Sequence, residues 1–229
     1  MNISVVLAGG NGKRMKLERG SKQLLKLNGK PVFLHSVDVF QETGIFDKTV
    51  VVYNPDYRDE YIKYLKDYKD ILMVEAGHER WRSSLNALEE IERSFPLTNI
   101  VAIHDGARPF IRKELIENMV KDVKKDLGVI PGVYLKDTIK KINKDNIVVD
   151  TPKRSKHVKV MTPQVFDFKN LLEAYRSFDH SINMPTDDAM IFESYGKKVK
   201  VVIADESNIK ITTPEDIIIA RKFMSSLFG

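Results

Sequence analysis

The chain has 229 residues, 42% apolar and 30% charged, with a formal net charge of +5 and no cysteine. That length fits one α/β domain, alone or with an appendage. The missing cysteine excludes disulfides, thiolate metal sites and thiol catalysis, and no apolar run reaches the ~20 residues that span a bilayer. The 37 basic residues are dispersed among 32 acidic ones without a basic block, which favours small phosphorylated metabolites over nucleic acid or a membrane as partner. With no cationic leader before an apolar segment, no signal peptide is expected and a cytoplasmic location is.

Residues 3–7 (ISVVL) read as a first buried strand. They run into Leu7-Ala8-Gly9-Gly10-Asn11-Gly12-Lys13-Arg14-Met15. Three glycines in four positions let backbone approach a ligand closely, and the exposed N–H groups with Lys13 and Arg14 suit a polyphosphate. A P-loop is excluded, because Arg14 follows Gly12-Lys13 where Ser or Thr would stand and Leu7 occupies the first glycine position. A dinucleotide fingerprint is excluded by Met15 at its third glycine. The pattern L-A-[AG]-G-x-G-x-R-M of nucleotidyltransferases remains, with Lys22 as its downstream lysine; the plain alternative is a tight turn with solvated cations.

Further along, 49–53 (TVVVY) reads as a strand and 55–68 as a helix. A strand at 71–74 precedes helical spacing over 83–91, and a strand at 99–104 precedes a turn at Asp105-Gly106 and a helix from about Lys113. Residues 128–134 are the next strand. This alternation implies a Rossmann-like, mostly parallel sheet with helices on both faces, whose ligands lie beyond the carboxyl ends of the strands. Residues 135–161, rich in Lys and Asp, interrupt it. Thr138-Ile139 and Ile147-Val148-Val149 about a turn at 143–146 read as a projecting β-hairpin arm, poorly stable without a partner surface. Helices at 168–177 and 186–195, a strand at 199–203 and a helix at 214–228 complete the chain as a single domain. Thr213 as N-cap, Pro214 and two acids open the last helix.

Eight ordered motifs now agree: residues 7–15, Lys22-Gln23, Gly77-His78-Glu79-Arg80 with Ser83, residues 104–109 (HDGARP), Asp137-Thr138-Ile139-Lys140, Met161-Thr162-Pro163-Gln164, Thr186-Asp187-Asp188-Ala189 and Asn208-Ile209-Lys210-Ile211-Thr212. Over essentially its whole length the chain resembles the 2-C-methyl-D-erythritol 4-phosphate cytidylyltransferases. Ribitol-5-phosphate cytidylyltransferases share the early motifs, while the D-T-I-K, T-P-K-R-S and T-D-D-A segments look more like the methylerythritol enzymes. The resemblance implies the nucleotidyltransferase fold, CTP and a polyol phosphate as substrates, Mg²⁺ carried mostly by the CTP phosphates, and a homodimer whose arm, 135–161, reaches over the neighbouring active site.

It also implies roles. Arg14 and Lys22 would stabilise charge on the phosphates; losing one such donor costs ~3–4 kcal/mol. Leu7, Ala8, Gly9, Gly10 and Gly12 would cradle the nucleotide, with Gly77, His78 and Ser83 on cytosine and ribose. Asp105 would meet the metal-nucleotide and the second substrate. Arg108, Thr138, Arg154, Thr186 and Lys210 would hold that substrate, Arg154 and Lys210 gripping its phosphate. The chain departs from the pattern at Ser21, where proline is usual, and at His78, often Asp. Plainer roles stand beside these: Lys22 and Arg154 as solvated cations, Arg108 pairing with Asp105 across the turn, Ser83 as a helix cap, Thr186-Asp187-Asp188 as a helix start, and Trp81 as packing. Alternative functions are ribitol-phosphate transfer and an inert CTP-binding regulatory domain; Arg14, Lys22 and Lys210 argue against the latter.

Overall fold

The computed structural model describes residues 1–10, 21–179 and 184–228. Strand β1 (Asn2–Leu7) is followed by a small hairpin of β2 (Lys26–Leu27) and β3 (Lys30–Pro31), then helix α1 (Val32–Thr43). The βα alternation continues through β4 (Lys48–Tyr53), α2 (Arg58–Leu65), β5 (Ile71–Glu75), α3 (Arg80–Ser94), β6 (Ile100–Asp105), α4 (Lys113–Asp122) and β7 (Leu127–Tyr134). An arm then carries β8 (Lys141–Ile142) and β9 (Val148–Asp150), and the chain returns through β10 (Val158–Val160) and β11 (Gln164–Asp167). Helices α5 (Phe168–Ser177) and α6 (Asp188–Ser194), strand β12 (Lys198–Ile203) and helix α7 (Pro214–Phe228) complete it.

Strands β6, β1, β4 and β5 are neighbours in that order and all parallel. Both faces of this sheet are covered, which explains the unbroken apolar runs. In β1, Ile3, Val5 and Leu7 point into one core with Leu88 and Ile91 of α3, Leu171 and Tyr175 of α5, and Phe192 of α6. Val6 and Ala8 point into the opposite core with Phe33 and Phe40 of α1, Tyr61 of α2 and Met119 of α4. Each large side chain fully buried there contributes roughly 1.5–3 kcal/mol of transfer free energy. In a third, smaller core, α7 sets Ala220 and Met224 against Leu27, Val32, Phe110 and Ile211.

The sheet is not parallel throughout: β11 runs antiparallel to β6 and β7. Gly132 is registered with Val160 on one side and Ile203 on the other, and Val129 likewise with Val165 and Lys200. Strands β10 and β11 therefore share one edge of β7, either side of a cis Thr162–Pro163 bond, while β12 takes the other edge.

Local corrections follow from hydrogen bonding. The helix expected over 55–68 divides into a 3₁₀ turn, Pro55–Tyr57, capped by Asn54, and α2. In the arm, the pairing falls on Lys141–Ile142 with Val148–Asp150, leaving Thr138-Ile139 outside a strand. Helix α6 starts at Asp188, because the Asp187 carboxylate, rather than Thr186, accepts from the Met190 N–H. At the head of α7 the Asp216 carboxylate accepts from the N–H groups of Thr212 and Thr213, at 2.7 and 2.8 Å, in the manner of a capping box.

Candidate active site

The parallel strands all end on one side, and a cleft of about 280 Å³ opens there. Leu7 at the end of β1 and Gly9 and Gly10 beyond it form one wall and residues 77–80 with Ser83 another; Lys22, Gln23, Asp105, Ala107 and Lys210 close it. Gly9 is required where it stands. A Cβ there would lie 2.2 Å from Cβ of Ala76 and 3.2 Å from the Tyr53 carbonyl oxygen. Beneath the loop, the buried Tyr61 hydroxyl donates to the Ala8 carbonyl at 2.7 Å. Ala8 itself faces the α1 side of the sheet and lies outside the cleft lining, its N–H donating to the Val52 carbonyl at 2.8 Å.

Ser21, standing where the resembled family has proline, is buried and holds Lys22 by hydrogen bonding instead. Its Oγ accepts from the Gln23 N–H at 3.3 Å, starting the 3₁₀ turn Lys22–Leu24, and donates to the Gly10 carbonyl at 3.4 Å. The Lys22 ammonium reaches the Ile211 carbonyl at 3.3 Å, spanning 189 residues. Across the cleft, the Gly77 N–H donates to Ser83 Oγ, which donates in turn to the Glu79 carbonyl, both at 3.1 Å. Ser83 thus sits inside the first turn of α3 and folds the preceding loop back onto it, rather than capping the helix. His78 is exposed on the cleft wall, and Trp81 packs against the core between β1 and α3.

Charge converges on Asp105, the last residue of β6. Its Oδ2 takes Lys210 Nζ at 2.7 Å and its Oδ1 takes Arg80 Nε at 3.2 Å, with Arg108 Nε 3.6 Å from Oδ2. Burial works to raise this carboxyl, but Arg80, Lys210 and Arg108 outweigh it and hold it well below the usual carboxylate range. Arg80 was not among the expected site residues. Its Nη2 also reaches Oδ2 of the fully buried Asp188 at 2.7 Å. Arg80 falls within the Gly77–Arg80 motif, but nothing in the motif shows that it pairs with two aspartates; that these must be buried in an α/β domain is the clue that a cation meets them.

The remaining residues lie elsewhere. Arg108 is largely buried, and its Nη1 donates to the Asn208 carbonyl at 2.9 Å, so it pairs with Asp105 across the turn and lies outside the cleft lining. Thr138, Arg154 and Thr186 are exposed and are not among the residues lining the cleft of their own chain; Arg154 donates to the Lys136 carbonyl. Gly12 and Arg14 fall outside the described residues. Among the described residues no three His, Cys, Asp or Glu side chains converge as metal ligands. Asp105 is a single carboxylate that could offer an ion only the Oδ2 that Lys210 would vacate, which suits an ion keeping phosphate and water as its main ligands.

Glycine-shaped loops at the ends of parallel strands, with Lys22 and Lys210 facing one cleft, define an α/β nucleotidyltransferase. The family model described as 2-C-methyl-D-erythritol 4-phosphate cytidylyltransferase matches residues 2–226, and the chain belongs to that family. A 2-C-methyl-D-erythritol 4-phosphate cytidylyltransferase of Clostridium beijerinckii is 41% identical, over 99% of this chain and 100% of that one. The crystal structure of a 4-diphosphocytidyl-2C-methyl-D-erythritol synthase from Anaerococcus prevotii superposes with a TM-score of 0.85 at 31% identity, covering 98% of each chain. The Francisella tularensis 2-C-methyl-D-erythritol 4-phosphate cytidylyltransferase follows at 0.79 and 29%, over 96% of this chain and 98% of that one.

Proposed function

We propose that the chain condenses CTP with 2-C-methyl-D-erythritol 4-phosphate, giving 4-diphosphocytidyl-2-C-methyl-D-erythritol and pyrophosphate for isoprenoid synthesis. The observation that carries this reading is the convergence of Lys22, Lys210 and Asp105 on a glycine-walled cleft in a chain of this family. The phosphate oxygen of the polyol attacks the α-phosphorus in line, that P–O bond forms, and the bond to the β-phosphate breaks to release pyrophosphate. No enzyme nucleophile is needed, so the protein contributes alignment and charge. Lys22 and, by this reading, Arg14 stabilise the charge spreading over the phosphates. Lys210 leaves Asp105 for the incoming phosphate, and residues 77–83 hold the base through backbone groups.

Asp105 is the carboxylate that would face Mg²⁺ bound to the triphosphate, and the ion would supply Lewis-acid stabilisation of the phosphate oxygens. We also propose a homodimer working in the cytoplasm. Support for the dimer comes from the arm: Ile142, Ile147, Val148 and Val149 are 51–62% exposed on a short two-stranded hairpin, a surface that a second copy would cover. Arm exchange would then let Thr138 and Arg154 of one subunit complete the cleft of the other. The deciding experiment is pyrophosphate release with CTP and Mg²⁺, offering 2-C-methyl-D-erythritol 4-phosphate and ribitol 5-phosphate in parallel. Preference for the first supports the proposal; preference for the second keeps the chemistry and changes the polyol. CTP binding without turnover of either would make this a binding domain.

A further inference from the structure

Asp188 lies at the bottom of the site and takes no part in the chemistry above, yet it is among the most completely held groups in the chain. It is fully buried, and its carboxylate accepts from Arg80 Nη2 at 2.7 Å, Ser84 Oγ at 3.0 Å and the Tyr175 hydroxyl at 2.5 Å. A buried carboxylate is costly unless paired and hydrogen-bonded, and these three donors, two from α3 and one from α5, satisfy it. The guanidinium of Arg80 then spans outward, placing Nε 3.2 Å from Asp105 Oδ1 at the cleft. A planar fork can bridge two carboxylates in this way, whereas a lysine ammonium is a single point charge.

The order of charges is therefore Asp188, Arg80, Asp105, Lys210, running from core to cleft. In the free chain Lys210 is committed to Asp105. When it turns to a phosphate, Asp105 must keep a fixed compensating cation, or the carboxylate will follow the ammonium. Arg108 remains 3.6 Å from Oδ2, and Arg80 holds Oδ1 only while its own position is set from behind. Asp188 begins α6, just after Thr186 and Asp187, so the bridge also joins the nucleotide-side loop to the helix that follows Thr186.

We propose that Asp188 is a positioning residue: through Arg80 it fixes Asp105, so that Lys210 is delivered to phosphate in one aimed geometry. This rests on the cytidylyltransferase reading above. The test is a four-member cycle of the full chain: the natural sequence, Asp188→Asn, Arg80→Met and the double variant. For each, kcat and both KM values are read by pyrophosphate release, with melting temperature followed in parallel.

Asp188→Asn should lower kcat by about 10- to 100-fold, the scale of a misplacement near 1 Å, with KM for CTP changed by less than about threefold. Arg80→Met should lower kcat at least as much, and the double variant should match Arg80→Met. If Asp188→Asn lowers kcat by the same factor whether or not Arg80 is present, it does not act through Arg80 and the proposal is overturned. Undiminished kcat in Asp188→Asn overturns it as well. Should Asp188→Asn fail to fold, Arg80→Lys decides: it keeps a cation on Asp188 but cannot span both carboxylates. It should melt near the natural temperature with kcat down tenfold or more, and natural turnover would overturn the inference. An inactive natural chain would strike the proposed function first, and this inference with it.

Discussion

The ammonium of Lys210 lies 2.7 Å from Oδ2 of Asp105, a pairing across 105 residues that brings the loop before α7 onto the end of β6. By the proposed function, this pair opens when a substrate phosphate enters the cleft. A triphosphate or polyol phosphate offers Lys210 more negative charge than one carboxylate does, and Asp105 retains Arg80 and Arg108 when Lys210 departs. Removing the ammonium should therefore affect chemistry far more than folding. Lys210→Met is expected to lower kcat/KM by about 10²–10³-fold, the usual loss for one preorganised donor. Its stability should stay within about 1 kcal/mol, since the ammonium is one-third exposed and its pairing is screened by solvent. Pyrophosphate release and urea unfolding on the same preparations check both halves. Activity within tenfold of the natural chain would remove Lys210 from the phosphate site.

Gly9→Ala is expected to act on stability and activity together. The added methyl would meet Ala76 Cβ at 2.2 Å and the Tyr53 backbone at 3.2–3.3 Å, where no flexible side-chain end can yield. Overpacking of this kind costs about 1–3 kcal/mol, and relief must come from moving the loop that carries Gly10. Gly10→Ala is the control, because a Cβ there meets nothing within 4 Å. Urea midpoints should separate the two, with Gly9→Ala the lower; equal midpoints would mean that the loop has room to spare.

Much of this site was legible because its pieces are short, ordered motifs at strand ends. Gly9, Gly10, Lys22, Gly77, Ser83, Asp105 and Lys210 do line one cleft. Helix α1 announced itself poorly. Its buried Val32, Phe33, Leu34, Val37 and Phe40 do face away from a stripe of His35, Asp38 and Glu42 at helical spacing, but Pro31 at its N-cap provides no side-chain hydrogen bond and no acid stands in its first turn, so nothing marks its start. Strand β11 spans four residues, too few for alternation to distinguish it, and its direction is set by pairing with β6 and β7 rather than by its own residues. Asp187 and Asp188 looked alike as acids suited to a helix start. One caps α6, while the other lies in the core against Arg80, a distinction that only tertiary packing supplies.

Stability should fall on mild acidification because of His104. This side chain is completely buried behind the cleft, its Nε2 3.1 Å from the Arg108 carbonyl and its Nδ1 3.1 Å from the Thr162 hydroxyl. Burial pushes its pKa down to about 4, from an ordinary value of 6.5. Between those values the unfolded chain binds the proton and the folded chain does not, so stability drops as pH falls through that window and is unaffected above it. From pH 7.5 to 5.0 the loss from His104 should be about 2 kcal/mol. Burial shifts His35 in the same direction, so the natural chain will lose somewhat more. His104→Asn isolates the effect: its urea-derived stability should decline less over the same range, and parallel declines would show that His104 is not held neutral.

Subunit mixing distinguishes an arm that crosses between subunits from one that stays on its own chain. Arg154 is exposed and outside the cleft of its own chain, whereas Lys22 lines that cleft. If each site draws Lys22 from one subunit and Arg154 from the other, Lys22→Ala and Arg154→Ala should each be nearly inactive as homodimers. A hybrid of the two then contains one site that carries both lesions and one that carries neither. With equal mixing and free exchange about half the dimers are hybrids, each with one intact site of two, so roughly a quarter of natural activity should return. Sedimentation of the separate variants must first show intact dimers, and a tagged-subunit pull-down must show exchange. Sites built wholly within one chain would put one lesion in each site of the hybrid and restore nothing. Recovery near a quarter therefore reports the arm crossing between subunits, and its absence despite exchange returns Arg154 to the solvated surface.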